Sequence, residues 1–439
     1  MKMKWFRHLA VIVMLTLSLN TTLTAAQGEP FTIQAQEDLQ PALTALYAAL
    51  HSSAPLFVER DADLVATTDK ARMADTLGSV APHFLPDAFF LLQTQNDAAS
   101  DFVRFAISPD GQQALIEAGF LPDSVTVTDQ VGNTIVIPQP VRRVMTPYSL
   151  ATYLVYGVGA ADRLVAGGYL GARTPIGAAR MEAIDPRFPE ISAYAINQRE
   201  INIEVVATLM PDVIFTSART AWLDTVAELG IPVVLFQGES PDLLKESMRI
   251  AGQVFGPNAA ARAQAWVDYY DSILERVLEQ TTDLTPDERP GVLMVGENAL
   301  RIISGEMYQT DIIRAAGGRS VSADLTGFWN DVNLEQIVLW NPDVIVIVPY
   351  GSTTPETITE SAEWQTVAAV QNGQVYKMPS WVAPWDAPVP DSALGIIWLA
   401  QTLFPNRVDL DCATEAMYFF NTFYNHALPQ AEIAAICGD

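Results

Sequence analysis

Two stretches, NIEVVATLMPDVIFTS from Asn202 to Ser217 and NLEQIVLWNPDVIVIV from Asn333 to Val348, repeat one phrase. Asn, Glu, Pro, Asp, Val and Ile recur at the same six places, and the apolar positions between them also correspond. Each copy reads as a helix start after Asn, a Pro-Asp turn and a buried strand. A chain that carries this unit twice, so far apart, is expected to fold two similar α/β lobes.

Strand and helix patterns alternate around both copies. The first series has a hairpin, VTVTDQVGNTIVIPQP with Gly132-Asn133 at its tip, then RLVAGG, DVIFTS, TAWLDTVAELG and IPVVLF. The second has GVLMVG, the helix MYQTDIIRAAGG, DVIVIV and QVYKMP. Such alternation builds a mostly parallel sheet. Between the series runs NAAARAQAWVDYYDSILERVLEQTTDL, in which Ala263, Trp266, Tyr270, Ile273 and Val277 keep the spacing of one buried helical stripe. The expected fold is therefore α/β, two Rossmann-like lobes joined by one long backbone helix. Ligands of open α/β sheets bind beyond the carboxyl ends of the strands, so two facing lobes create a cleft there. Ahead of the lobes, LQPALTALYAAL and AASDFVRFAISPDGQQALIEAGFLP read as helices and strand signals are few, which predicts a small, mainly helical segment.

The N-terminus adds an address. Lys2, Lys4 and Arg7 precede an apolar run from Leu9 to Leu19, and Thr24-Ala25-Ala26 follows as a small-residue cleavage site. That run is shorter than the ~20 residues a membrane-spanning helix needs, so cleavage after Ala26 and export are expected. The formal net charge of −26 argues against nucleic acid as a partner. The two cysteines, Cys412 and Cys437, are expected to form one disulfide in an exported protein. The expected division is 1–26 signal, 27–124 N-terminal segment, 125–257 first lobe, 258–284 connecting helix, 285–405 second lobe and 406–439 helical tail.

TDQVGNTIVIPQPVRRVMTPY, NIEVVATLMPDVIF, the connecting helix, NLEQIVLWNPDVIVIV and WQTVAAVQNGQVYKMPS together resemble the helical-backbone (class III) solute-binding proteins of ABC importers, of the iron–siderophore, haem and cobalamin type. The resemblance runs from about Val125 to the C-terminus. DADLVATTDKARM and DFVRFAISPDGQQALIEAGF, in the N-terminal segment, resemble a shortened molybdate-type binding protein. The first resemblance implies an extracytoplasmic, monomeric receptor that captures a metal chelate between its lobes and delivers it to a permease. A bare molybdate or tungstate oxyanion is the second ligand reading. The resemblance also implies that Glu204 and Glu335, one per lobe, dock on permease arginines. Helix-start chemistry alone accounts for a carboxylate at either place, since the helix dipole stabilises it by ~0.3–1 kcal/mol. It does not demand Glu twice.

Loops that follow the strands supply the candidate ligand contacts. In the first lobe these are Tyr148, Tyr169, Arg173, Arg219 and Trp222. In the second they are Asn298, Trp329, Tyr350, Trp381, Trp385 and Asp386, with Glu297 and Phe328 beside them. Aromatic rings there suit a large, partly apolar ligand, and the arginines offer charge-assisted hydrogen bonds. Each ring is equally expected from packing between the lobes. No cofactor and no resident metal are expected, because no His or Cys falls in a cleft loop. An α/β enzyme is the competing class. YGVGAAD holds only a partial glycine motif, and there is no Walker loop, HExxH or G-x-S-x-G elbow.

Overall fold

The computed structural model describes residues 31–51, 54–75, 80–169, 174–194 and 196–437; the expected signal at 1–26 lies outside them. Two sheets form the centres of the two lobes. The first has four parallel strands in the order Val233–Phe236, Val213–Ser217, Val144–Thr146, Leu164–Gly167. The second is centred on Gly291–Val295, with Val344–Ile347 and then Val375–Lys377 parallel on one side. Its other edge adds Arg301–Ile302 and Asn330–Asp331 as antiparallel strands, while the short strand Arg319–Ser320 also pairs with Gly291–Val295. The central strands are apolar apart from Thr216 and Ser217 and are buried at every residue, as expected where helices cover both faces.

Both copies of the repeated phrase fold the same way. Asn202 and Asn333 cap the helices Ile203–Leu209 and Leu334–Trp340, their side chains accepting from the N–H of Glu204 and of Gln336. Each helix ends in a left-handed residue, Met210 (φ 41°) or Asn341 (φ 43°). The shared aspartate then reaches back to the neighbouring strand. Asp212 Oδ2 accepts from the N–H of Arg142 and Arg143 at 2.7 and 2.8 Å, and Asp343 Oδ2 accepts from Gly291 at 2.6 Å. The backbone N–H of the same two aspartates donates to Arg143 and Gly291, at 2.8 Å in both copies. A reciprocal pair of this kind fixes where two strands start relative to each other. That is the physical reason Pro-Asp recurs.

The connecting helix, Pro257–Thr281, is 25 residues, or about 37 Å at 1.5 Å per residue. Pro257 sits at its first turn, where a missing N–H costs nothing, after Gly256 at φ 98°. Its predicted stripe is fully buried. Trp266 Nε1 donates to the Pro390 carbonyl at 3.3 Å, and the Tyr270 hydroxyl meets that of Tyr308 at 2.8 Å.

Residues 381–391 form a buried strap between the lobes. The Tyr153 hydroxyl of the first lobe donates to the Val382 carbonyl at 2.8 Å, and Pro390 lies against Gly157. After the strap comes the helix Ser392–Leu403. Asp391 stands at its cap position, but its side chain makes no cap bond and instead accepts from the Tyr424 hydroxyl at 2.5 Å. The tail helices, Cys412–Phe423 and Gln430–Cys437, are joined by a Cys412–Cys437 disulfide.

The N-terminal segment is mainly helical, as expected, and adds short strands that the sequence did not signal. It holds three helices, Gln40–Leu50, Asp97–Ile107 and Pro109–Glu117, but also a mixed five-stranded sheet with its own core. Its strands are two to five residues long, too short to show a period of two in the sequence. This unit docks on the start of the connecting helix. Gln112 Nε2 donates to the Phe255 carbonyl at 2.9 Å, and the N–H of His83 donates to Asn258 Oδ1 at 3.1 Å.

Candidate functional site

Loops at the carboxyl ends of the two sheets meet across one line. Arg219, in the turn after Val213–Ser217, places its guanidinium 4.4 Å from the ring centre of Phe328 in the second lobe. Glu239, in the loop after Val233–Phe236, pairs with Arg219 at 3.1 Å; burial raises its carboxyl, opposed by Arg219 and by the Tyr308 backbone at the start of helix Tyr308–Ala315. The Tyr148 hydroxyl faces the same two charges; it is buried without a hydrogen-bond partner, and burial raises its pKa above the ordinary phenol value. These groups are the first lobe's wall.

The second lobe's wall is acidic. Tyr350, in the loop after Val344–Ile347, donates to Asp386 Oδ2 at 2.9 Å, and Gln309 Nε2 donates to the same oxygen at 3.0 Å. Asp386 is fully buried, and burial pushes its carboxyl up to about 6 despite those two donors. Asp386 Oδ1 and Gln309 Oε1 are buried with no partner. Burial and the charge of Asp386 raise the Tyr350 phenol, and the charges of Glu297 and Glu239 act on it in the same sense. Trp329 lies under this wall, against Gly296.

Of the residues expected at the cleft, Tyr148, Arg219, Tyr350 and Asp386 are brought together, with Phe328 and Glu297. Others lie elsewhere. Trp222 belongs to a core cluster with Val206, Ile214 and Val226, and its Nε1 donates to the Asn197 carbonyl at 2.8 Å. Tyr169 is packed among Tyr153, Tyr156 and Phe188. Trp381 faces the tail, stacking near Phe420 and His426 and donating to Glu432 at 3.1 Å. Trp385 is wholly buried in the strap. Trp381 and Trp385 are turned away from the cleft because residues 381–391 are a buried strap rather than an open loop. Asn298 is exposed, at a turn where its Oδ1 accepts from Leu300 at 3.3 Å. Arg173 lies outside the described residues.

Two functional residues escaped the sequence reading, Glu239 and Gln309. Glu239 lies three residues beyond the predicted strand IPVVLF, in a strand-end loop that marks the wall, but it is neither an aromatic nor an arginine. Gln309 sits in the first turn of a correctly expected helix, where nothing in the sequence distinguishes it. Among the described residues no group of three or more His, Cys, Asp or Glu side chains is arranged to hold a metal ion.

Two α/β lobes on one long helix, with loops meeting between them, define a binding protein of the periplasmic type. The chain belongs to the periplasmic binding protein family, which matches residues 150–381, more than half its length. It is similar to the molybdate-binding protein MolA of Haemophilus influenzae, 25% identical over 329 residues that cover 68% of this chain and 91% of the relative. MolA bound to molybdate has the same fold, with a TM-score of 0.62 at 21% identity over 70% of this chain and 99% of that one. The vitamin B12-binding protein of Photorhabdus laumondii is 24% identical over 214 residues, 47% of this chain and 70% of the relative. A periplasmic solute binding protein from Veillonella parvula reaches a TM-score of 0.63 at 25% identity, over 71% of this chain and 96% of its own. These relatives are binding proteins, and the chain is a solute-binding protein of the ABC-transporter type.

Proposed function

We propose that this chain is an exported receptor that captures a metal chelate between its lobes and hands it to the permease of an ABC importer. The observation that supports this reading is the junction of strand-end loops at Arg219, Phe328, Tyr148 and Tyr350, rings and charges from both lobes in one place. Glu204 and Glu335 are both exposed, one in the first helical turn of each phrase copy, where a permease can read the two lobes together. Charge pairs at such an interface set orientation and on-rate. Changing both to Ala is expected to abolish uptake in cells while leaving ligand affinity unchanged. A loss of affinity instead would remove them from the docking role. The ligand itself is tested by native mass spectrometry of the protein purified from its own host, where a co-purifying chelate is the expected result.

A second reading has one observation in its favour. MolA, similar over two thirds of this chain, is a molybdate-binding protein. Molybdate travelling with the purified chain would establish it and set the chelate reading aside.

A further inference from the structure

Beneath Tyr350 the second lobe buries two hydrogen-bond acceptors that have no partner. Asp386 Oδ1 and Gln309 Oε1 are both shut off from solvent and both unmatched. The amide orientation of Gln309 is fixed by its bond to Asp386, since the flipped amide would set two acceptors against each other. Buried polar atoms without partners are rare and call for an explanation, and a ligand supplying the missing donors is one.

The first lobe brings one charged donor to the junction. Its guanidinium, Arg219, is paired with Glu239 and covered on one face by Phe328. The Tyr350 hydroxyl is committed to Asp386. Among the described residues, Tyr148 alone offers this wall an unmatched hydroxyl. The carboxylates of Asp386, Glu297 and Glu239 all act on Tyr350, and Arg219 is ion-paired with the last of them.

We propose that Asp386 and Gln309, beneath Tyr350, form a subsite for hydrogen-bond donors or positive charge on the ligand: hydroxyl, ammonium or metal-bound water groups of a chelate. The subsite rests on the receptor reading above and deepens it. An oxyanion presents only acceptors and negative charge, so it meets repulsion here. A neutral or cationic chelate meets complementary groups. Entry of the ligand parts the contact of Arg219 with Phe328.

The test uses the whole chain, stripped of bound ligand, with binding read by calorimetry at pH 7.5. Three probes are compared: molybdate, an anionic ferric tris-catecholate, and a cationic ferric tris-hydroxamate with a free ammonium arm. The cationic chelate is expected to bind at least tenfold more tightly than the anionic one, with molybdate not retained. Asp386→Asn keeps an acceptor for Gln309 and Tyr350 but turns the free oxygen into an N–H donor. It is expected to weaken the cationic chelate at least tenfold and to narrow or invert the preference. Should that variant not fold, Tyr350→Phe frees a further acceptor and is expected to strengthen the cationic preference about threefold. Preference for the anionic chelate, or a ranking unmoved by either variant, overturns the subsite and leaves the chelate receptor standing. Binding of molybdate alone overturns both, and silence of all three probes overturns the subsite.

Discussion

The two copies of the repeated phrase are held by closely similar hydrogen bonds, yet the loops that leave their strands differ. In both copies an Asn starts the helix, a left-handed residue ends it, and an Asp grips the neighbouring strand. Beyond the strands, the first lobe presents Arg219 and the second presents Tyr350 over Asp386. The phrase is constrained by backbone groups that must find partners wherever they are buried. The walls are free of that constraint and are unlike: one pairs Arg219 with Glu239, the other sets Tyr350 over Asp386.

The aspartates offer the largest way to break that symmetry. Asp343 serves Gly291, the first residue of a central strand that is buried throughout, so Asp343→Ala leaves a buried N–H unmatched and is expected to cost about 2–3 kcal/mol. Asp212 serves Arg142 and Arg143, both exposed, where water replaces the lost acceptor; Asp212→Ala is expected to cost only about 1–2 kcal/mol. Urea denaturation followed by tryptophan fluorescence measures both. Equal losses would show that burial of the partner does not set the difference.

Much of this comparison was legible in the sequence. Cap, turn and strand in each phrase follow from residue types at fixed spacing, and the connecting helix from five apolar positions of which all are buried. The strap was not legible. WVAPWDAPVP has the Pro and Trp content of a surface loop, and what buries it is contact with Tyr153, Gly157 and Trp266, residues distant in the chain. Nor was the five-stranded N-terminal sheet, whose short strands carry too few residues to display alternation. Strand-end position identified where the walls lie. Which side chains turn inward depended on tertiary packing, and so Trp222 and Trp385 went to the core while Glu239 came to the cleft.

The strap has no counterpart in the first lobe, and a pH experiment exposes its separate contribution. Asp391 is fully buried; burial pushes its carboxyl up to about 7, offset in part by the bond from Tyr424. An unfolded aspartate titrates near 3.9. Between these values the native chain binds more protons than the unfolded one, so stability falls as pH rises from about 4 to about 7 and levels off above. Asp386, pushed up to about 6, acts in the same sense over the lower part of that range. Asp391→Asn removes a buried charge and is expected to raise stability at pH 8 by about 1–2 kcal/mol, with a shallower decline across pH 4–7. Denaturation curves at pH 4, 6 and 8 decide it. An unchanged slope would mean that the carboxyl is matched as well in the folded chain as in water.

The smallest expected effect tests the closest point of likeness. Met210 and Asn341 hold equivalent left-handed positions, at φ 41° and 43°, but only Asn tolerates that conformation through its short polar side chain. Met210 is 68% exposed, so its side chain returns little packing for the strain. Met210→Asn, which writes the second copy's residue into the first, is expected to stabilise the chain by about 0.5–1 kcal/mol, read as a shift in the urea midpoint with an unchanged slope. The reverse exchange, Asn341→Met, should cost more than the first gains, because Asn341 Oδ1 also accepts from the N–H of Ala368 at 2.9 Å. If the two exchanges were equal and opposite, backbone strain alone would separate the copies, and the side-chain bond in the second lobe would contribute nothing.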